Sequence, residues 1–114
     1  MKVAVVGSRG FSDYKLLSET LDKIKITLIV SGSAKGADTL GEQYAKENNI
    51  PTKIFPPDWE KHGKMAGFLR NTDIINEAEL VVAFWDNFSK GTLDSINKAK
   101  KLDKKIIIIN YDLT

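Results

Sequence analysis

The stretch VVGSRGF, residues 5–11, sets the frame for the rest of the chain. An unbroken apolar run, KVAVV at 2–6, stops at Gly7 and is followed at once by Ser8, Arg9 and Gly10. A short β-rich run that ends on glycine predicts a buried strand and a sharp exit. The exit has two readings. It is either a strand-ending turn, or a cradle in which bare backbone N–H groups and a guanidinium meet a phosphate.

The same device recurs along the chain. TLIVSG (27–32) reads as a second strand, TKIF (52–55) after Pro51 as a third, ELVVAFW (79–85) as a fourth and KKIIIIN (104–110) as a fifth. Between them lie four segments with helical spacing. SDYKLLSETLDKI (12–24) repeats Leu16, Leu17, Leu21 and Ile24, with Ser12 or Asp13 able to cap it. ADTLGEQYAKENN (37–49), MAGFLRNTDIINEA (65–78) and TLDSINKAKKL (92–102) follow. Residues 56–64 and 86–91 read as loops.

The order is β-α-β-α-β-α-β-α-β. The strands are continuous rather than alternating, as expected when helices cover both faces of a parallel sheet. The expected fold is α/β: one Rossmann-like three-layer domain over residues 1–114, with a five-stranded parallel sheet in the order 3-2-1-4-5. The length of 114 residues suits one domain, and such a chain hides roughly 65% of its unfolded surface.

Composition excludes several classes. With no cysteine and one histidine (His62), neither a disulfide framework nor a transition-metal site is expected. The run IIII (106–109) falls far short of the ~20 residues of a membrane span, and no targeting segment opens the chain. A soluble, cytoplasmic protein with no cofactor is expected. The net charge of +2 is too mild to argue for nucleic acid. Six lysines within 90–105 read as a solvated helix face.

In an open parallel sheet, ligands bind beyond the carboxyl ends of the strands, where the strand order reverses. Small polar residues and glycines collect at those ends. Gly7, Ser8 and Arg9 follow the first strand. Ser31, Gly32, Ser33, Gly36 and Asp38 follow the second, within SGSAKGAD. Ser89, Gly91 and Thr92 follow the fourth, within SKGT. Three such loops on one rim point to an anion site built from backbone N–H groups, hydroxyls and an arginine. The pattern is not GxGxxG, which would need glycine at position 9, where arginine stands. GSAKGADT (32–39) also lacks the Gly-Lys-Ser/Thr ending of a P-loop.

Other residues carry two readings each. Asp38 either caps its helix or meets a ribose hydroxyl. Arg70 either pairs with Asp73 or Glu77 on the surface or faces a ligand. Trp59 and Trp85 are candidates for base stacking, or else pack at the rim.

Together VVGSRGFSD, SGSAKGADTLGEQYAKENNI, PPDWEKHGKMAGFLRNTDII and LVVAFWDNFSKGTLDSI resemble the SLOG superfamily, named from the Smf DNA-processing proteins and the Lonely Guy enzymes. The resemblance is strongest to its small YspA/YpsA-related members. It implies a Rossmann-like fold, a homodimer, and binding of a phosphorylated nucleoside or nucleotide-derived molecule, such as an ADP-ribose derivative, for sensing, carriage or sequestration. Carried over by position, the ligand-binding residues are Gly7, Ser8, Arg9, Ser31, Gly32, Gly36, Asp38, Arg70, Asn71, Gly91 and Thr92.

The alternatives are a phosphoribohydrolase-like enzyme and a protein associated with single-stranded nucleic acid. Against the enzyme, the GGxGTxxE pattern of Lonely Guy proteins keeps only Gly91 and Thr92. Phe88 and Ser89 replace its first two glycines, and Ser95 stands where the glutamate would be. Asp94 is adjacent, but one helical residue turns a side chain by ~100°. RNTDI (70–74) matches the arginine of the RKxxM motif.

Overall fold

The computed structural model describes residues 1–111; residues 112–114, part of the expected 1–114 domain, lie outside the described residues. Five strands form one sheet: β1 (Lys2–Gly7), β2 (Leu28–Ser31), β3 (Thr52–Ile54), β4 (Leu80–Trp85) and β5 (Lys105–Asn110). Their order is β3-β2-β1-β4-β5 and every pairing is parallel. The expected topology is therefore the observed one.

β1 lies at the centre, in register from Val3 with Leu80 of β4 to Gly7 with Phe84. Its other edge pairs Lys2 with Leu28 through Ala4 with Val30 of β2. The chain runs outward to β2 and β3, returns across β1 to β4, and runs outward again. The strand order reverses between β1 and β4, so the loops leaving those two strands diverge and open a crevice.

Helices α1 (Tyr14–Leu21) and α2 (Ala37–Glu47) cover one face of the sheet, and α4 (Ala66–Glu77) and α5 (Lys90–Lys101) the other. Alternate residues of β1 divide between them. Val3 and Val5 join Leu17, Leu21, Tyr44 and Ala45 in one core. Ala4 and Val6 join Ile74, Ile75, Ile96 and Ala99 in the other. All four β1 residues are at most 4% exposed. That is why the strand reads as a continuous apolar run: neither face meets water.

Several boundaries move from their sequence expectations, each for a local reason. α1 starts at Tyr14 because Asp13 caps it, accepting the Leu16 N–H at 3.0 Å. α5 starts at Lys90 rather than residue 92, because Ser89 is its cap and accepts the Thr92 N–H at 3.5 Å. The expected loop 56–64 holds a short helix, α3 (Trp59–His62), whose cap Asp58 accepts the Lys61 N–H at 3.1 Å. A 3-10 turn, Gly63–Met65, joins it to α4. No helix among the described residues is long and apolar enough to cross a membrane.

Phe84 ties the two halves together. It is fully buried next to the crevice and stacks on Phe11 with ring centroids 4.7 Å apart. Phe84→Ala is expected to cost about 3–5 kcal/mol, measured as a lowered midpoint in urea denaturation.

Candidate functional site

Where β1 and β4 end, three loops are pressed together by glycines. A Cβ on Gly7 would sit 2.5 Å from the Ala37 Cβ and 2.6 Å from the Phe84 carbonyl oxygen. A Cβ on Gly36 would lie 2.2 Å from the Ser8 carbonyl oxygen, and Gly36 holds φ +85°, which favours glycine. These two contacts bring the start of α2 against the loop leaving β1.

Ser8 then joins that loop to the one leaving β4. Its N–H donates to the Phe84 carbonyl at 3.0 Å, and its Oγ accepts the Asp86 N–H at 3.2 Å. Asp86 in turn accepts the N–H groups of Phe88 and Ser89, both at 2.8 Å. Burial pushes the Asp86 carboxyl upward. The Ser89 and Phe88 N–H groups and the Ser8 hydroxyl outweigh it and hold it below the usual carboxylate value.

A cavity of about 440 Å³ opens between these loops and α4. Gly7, Ser8, Arg9 and Gly10 line it from the β1 side, and Asp86, Ser89, Gly91, Thr92 and Ser95 from the β4–α5 side. α4 supplies Gly67, Arg70, Asn71 and Ile74, one helical face at spacing i, i+3, i+4, i+7. Asp38 closes the floor, and Trp59 and Lys64 stand at the rim.

Arg70 and Asp38 meet at one peptide unit. The Arg70 Nη1 donates to the Gly32 carbonyl at 2.6 Å. A Cβ at position 32 would lie 2.0 Å from that same nitrogen, so any other residue there would displace the guanidinium. From the other side Asp38 accepts the Gly32 N–H at 3.1 Å and the Ala34 N–H at 3.3 Å. Asp38 is only 5% exposed. Burial raises its carboxyl to about 6, against the opposing pull of Arg70 and of the Ala34 and Gly32 N–H groups. Burial also pushes the Arg70 guanidinium down; Asp38 resists this and Arg9 adds to it. The Arg70 Nε is buried with no hydrogen-bond partner.

Asn71 fastens α4 to α5, donating to the Gly91 carbonyl at 3.3 Å and to the Asp94 carboxylate at 3.2 Å. Asp94 also pairs with Lys98 at 2.7 Å. The buried Ser95, not Asp94, faces the cavity.

Of the residues expected at the site, Gly7, Ser8, Arg9, Asp38, Trp59, Arg70, Asn71, Ser89, Gly91 and Thr92 share this cavity. Gly32 and Ser33 line a second cavity beside it. Ser31 is fully buried and donates to Glu42 at 2.9 Å, fixing β2 to α2. Gly36 does the same for α2 and β1. Trp85 packs against the α4–α5 core, and its indole N–H donates to the Ser89 carbonyl at 3.1 Å. Ser31, Gly36 and Trp85 line neither cavity. Sequence reasoning set Gly10 beside Arg9 and Asp86 in the loop after the fourth strand without giving either a ligand role, weighed Ser95 only as the replaced glutamate, and left out Lys64, Gly67 and Phe68. The helical spacing of 67, 70, 71 and 74 is the signal that could have found Gly67. Among the described residues, no three His, Cys, Asp or Glu side chains are grouped as a metal site.

Fold and cavity thus define a doubly wound α/β protein with a polar, arginine-walled cleft at its topological switch point. The chain belongs to the YspA, cpYpsA-related SLOG family, whose sequence profile matches residues 1–62. It is 31% identical over 121 residues to the Gene 61 protein of Mycobacterium phage D29, covering 96% of this chain and 95% of that protein. Among solved structures, DNA processing protein A (DprA) from Streptococcus pneumoniae matches with a TM-score of 0.82 at 23% identity. That match covers 98% of this chain and 51% of the DprA chain, so this chain spans about half of DprA's length. The likeness establishes a shared fold.

Asp38 makes stability depend on pH. Its folded value near 6 lies above the ordinary 3.8, so its contribution is complete below about 4 and is lost as pH rises through 6. Asp38→Asn removes that loss. Its stability relative to the parent protein is expected to climb between pH 4 and 6, by about 2–3 kcal/mol at most, and to level off above pH 7. Urea denaturation across that range checks it.

Proposed function

We propose that the cavity binds a phosphorylated nucleoside or nucleotide-derived small molecule, and that the protein senses, carries or sequesters it rather than cleaving it. The observation that carries this reading is the convergence of Arg9, Arg70 and the N-terminus of α5 on one cavity of about 440 Å³. That volume falls in the range of small-molecule sites. The Lys90 and Gly91 N–H groups open α5, and Gly91 has nothing within 4 Å of a Cβ position, so an anion can reach the backbone there. Arg9, Arg70 and Lys64 outnumber Asp38 and Asp86 around the cavity, which favours an anionic guest. Family membership and the SLOG-type fold support the same class of ligand.

Binding is favoured over N-glycosidic hydrolysis because α5 turns Ser95 to the cavity and commits Asp94 to Lys98 and Asn71. A second reading, association with single-stranded nucleic acid, draws support from the fold shared with DNA processing protein A. Either reading fits a cytoplasmic protein. Met65 at the end of the 3-10 turn and Phe68 and Leu69 on α4 are 56%, 37% and 42% exposed and support pairing of two copies beside the cavity. Light scattering at tens of micromolar is expected to give the dimer mass; a monomer mass would count against the pairing.

Arg9 is exposed and makes no ion pair among the described residues, so Arg9→Ala leaves the fold intact. Losing a charge-assisted hydrogen bond costs about 1.5–3 kcal/mol, or roughly tenfold or more in affinity. Calorimetry with AMP and ADP is expected to show that loss in Arg9→Ala. Equal affinity in variant and parent would remove Arg9 from the site. No binding of either nucleotide, with tight binding of a thymidine oligomer, would favour the second reading.

A further inference from the structure

Between β3 and α4 the chain passes the cleft as residues 56–65: the Pro56–Pro57 step, α3 and the 3-10 turn. Every residue from Asp58 to Met65 is exposed, and none joins either core. Helix α3 is held by its own hydrogen bonds. Asp58 accepts the Lys61 N–H at 3.1 Å through its carboxylate and the His62 N–H at 3.0 Å through its carbonyl, and the Trp59 carbonyl accepts the Gly63 N–H. Among the described residues no side chain of this segment forms an ion pair, and no hydrogen bond ties it to the sheet, α2 or α5. A segment with so few buried contacts opens at low cost.

What it rests against is the cleft. Trp59 lines both the first cavity and the second, of about 500 Å³, and Lys64 lines the first. The edge of the Trp59 ring stands 3.8 Å from the place a Cβ of Gly67 would take, so α4 is bare beneath it and no side chain at 67 blocks its travel. The ring is 54% exposed. Half of a large apolar surface therefore faces water beside a polar cleft, and burying it is favourable. The joints of the segment differ. Pro56–Pro57 makes a stiff arm, since each ring fixes its φ. Gly63 holds φ +55° with nothing within 4 Å of a Cβ position, so the backbone can swing there without meeting a neighbour. The Asp58 cap keeps α3 formed, and the segment moves as one piece.

We propose that residues 56–65 are a strap that swings aside to admit a guest and closes over it, with Trp59 as the latch. The floor of the cleft is fixed by backbone and the roof moves. Closing carries Trp59 and Lys64 inward, shuts water out and delays release of the guest. This rests on the nucleotide-binding reading above and adds to it how entry and release are controlled.

Hydrogen exchange followed by NMR on the full chain, with and without saturating ADP, tests the strap, while calorimetry reports ADP binding separately. Lys61, His62 and Gly63 line neither cavity, so a bound guest does not shield their N–H groups directly. Exchange at these three is expected to slow at least tenfold when ADP binds, while the amides of α1, on the opposite face of the sheet, change less than twofold. Trp59→Ala alters no core residue and is expected to bind ADP more weakly and to lose that slowing. Unchanged exchange at the three amides with ADP bound, or slowing of equal size in Trp59→Ala, would overturn the strap and leave the nucleotide reading standing. Calorimetry that finds no ADP binding would overturn both together.

Discussion

The site depends on two missing side chains. Gly7 ends β1 opposite Phe84 of β4, and a single added carbon there would collide with both the Phe84 carbonyl and Ala37. Gly36 opens α2 so close to the Ser8 carbonyl that no other residue fits. Helix α2 can therefore start against the loop that leaves β1, and that loop can lie against the end of β4. Without this closeness the loops after β1, β2 and β4 would each face solvent separately. With it, Ser8 can reach both Phe84 and Asp86, and the exposed Arg9 emerges at the edge of two cavities.

This packing separates residues that hold the site from residues that face a guest. Ser8 and Ser31 belong to the first kind. Each is buried, with its hydroxyl engaged inside the protein: Ser8 with the Asp86 backbone, Ser31 with Glu42. Ser89 caps α5, and Asp86 ties down the turn before it. The Ser89 and Thr92 N–H groups are already in use, so on the proposed reading the α5 donors left for an anion narrow to those of Lys90 and Gly91. A loop of serines and glycines thus looks uniform as a string but does two different jobs in space.

The strands and their parallel direction were legible because each depends on local pattern, while their order came from the Rossmann-like fold class, since the same alternation fits other doubly wound orders. Continuous apolar runs in β1 and β4 can only be buried on both faces, and alternation with helices forces parallel crossovers. Less was legible where the reason lies across space. Helix α3 is four residues long, too short for a periodic signal, and only the Asp58 cap marks it. Lys64 reaches the cavity from the 3-10 turn, which nothing in PPDWEKHGK announces. Trp85 stood at a strand end and invited a stacking role. Its indole instead binds the Ser89 carbonyl and its ring joins the α4–α5 core, because parallel β4 is covered there by both helices.

Arg70 and Asp38 show how a charged pair can be built without contact. Placed side by side and buried, they would satisfy each other and offer nothing to a guest. Here the peptide of Gly32 stands between them: its N–H is held by Asp38 and its carbonyl by Arg70. Each charge is thereby fixed in position by a neutral group, and each keeps part of its capacity unspent. For Asp38, burial outweighs those N–H bonds and lifts the carboxyl to about 6. Arg70 lines both cavities, while its Nε is buried without a hydrogen-bond partner. The geometry is set by backbone gripped from both sides, not by mobile surface side chains, so the proposed anion would need little reordering to bind. A cleft organised in this way spends little of its binding energy on ordering itself, which is where affinity for a small polar ligand is most easily lost.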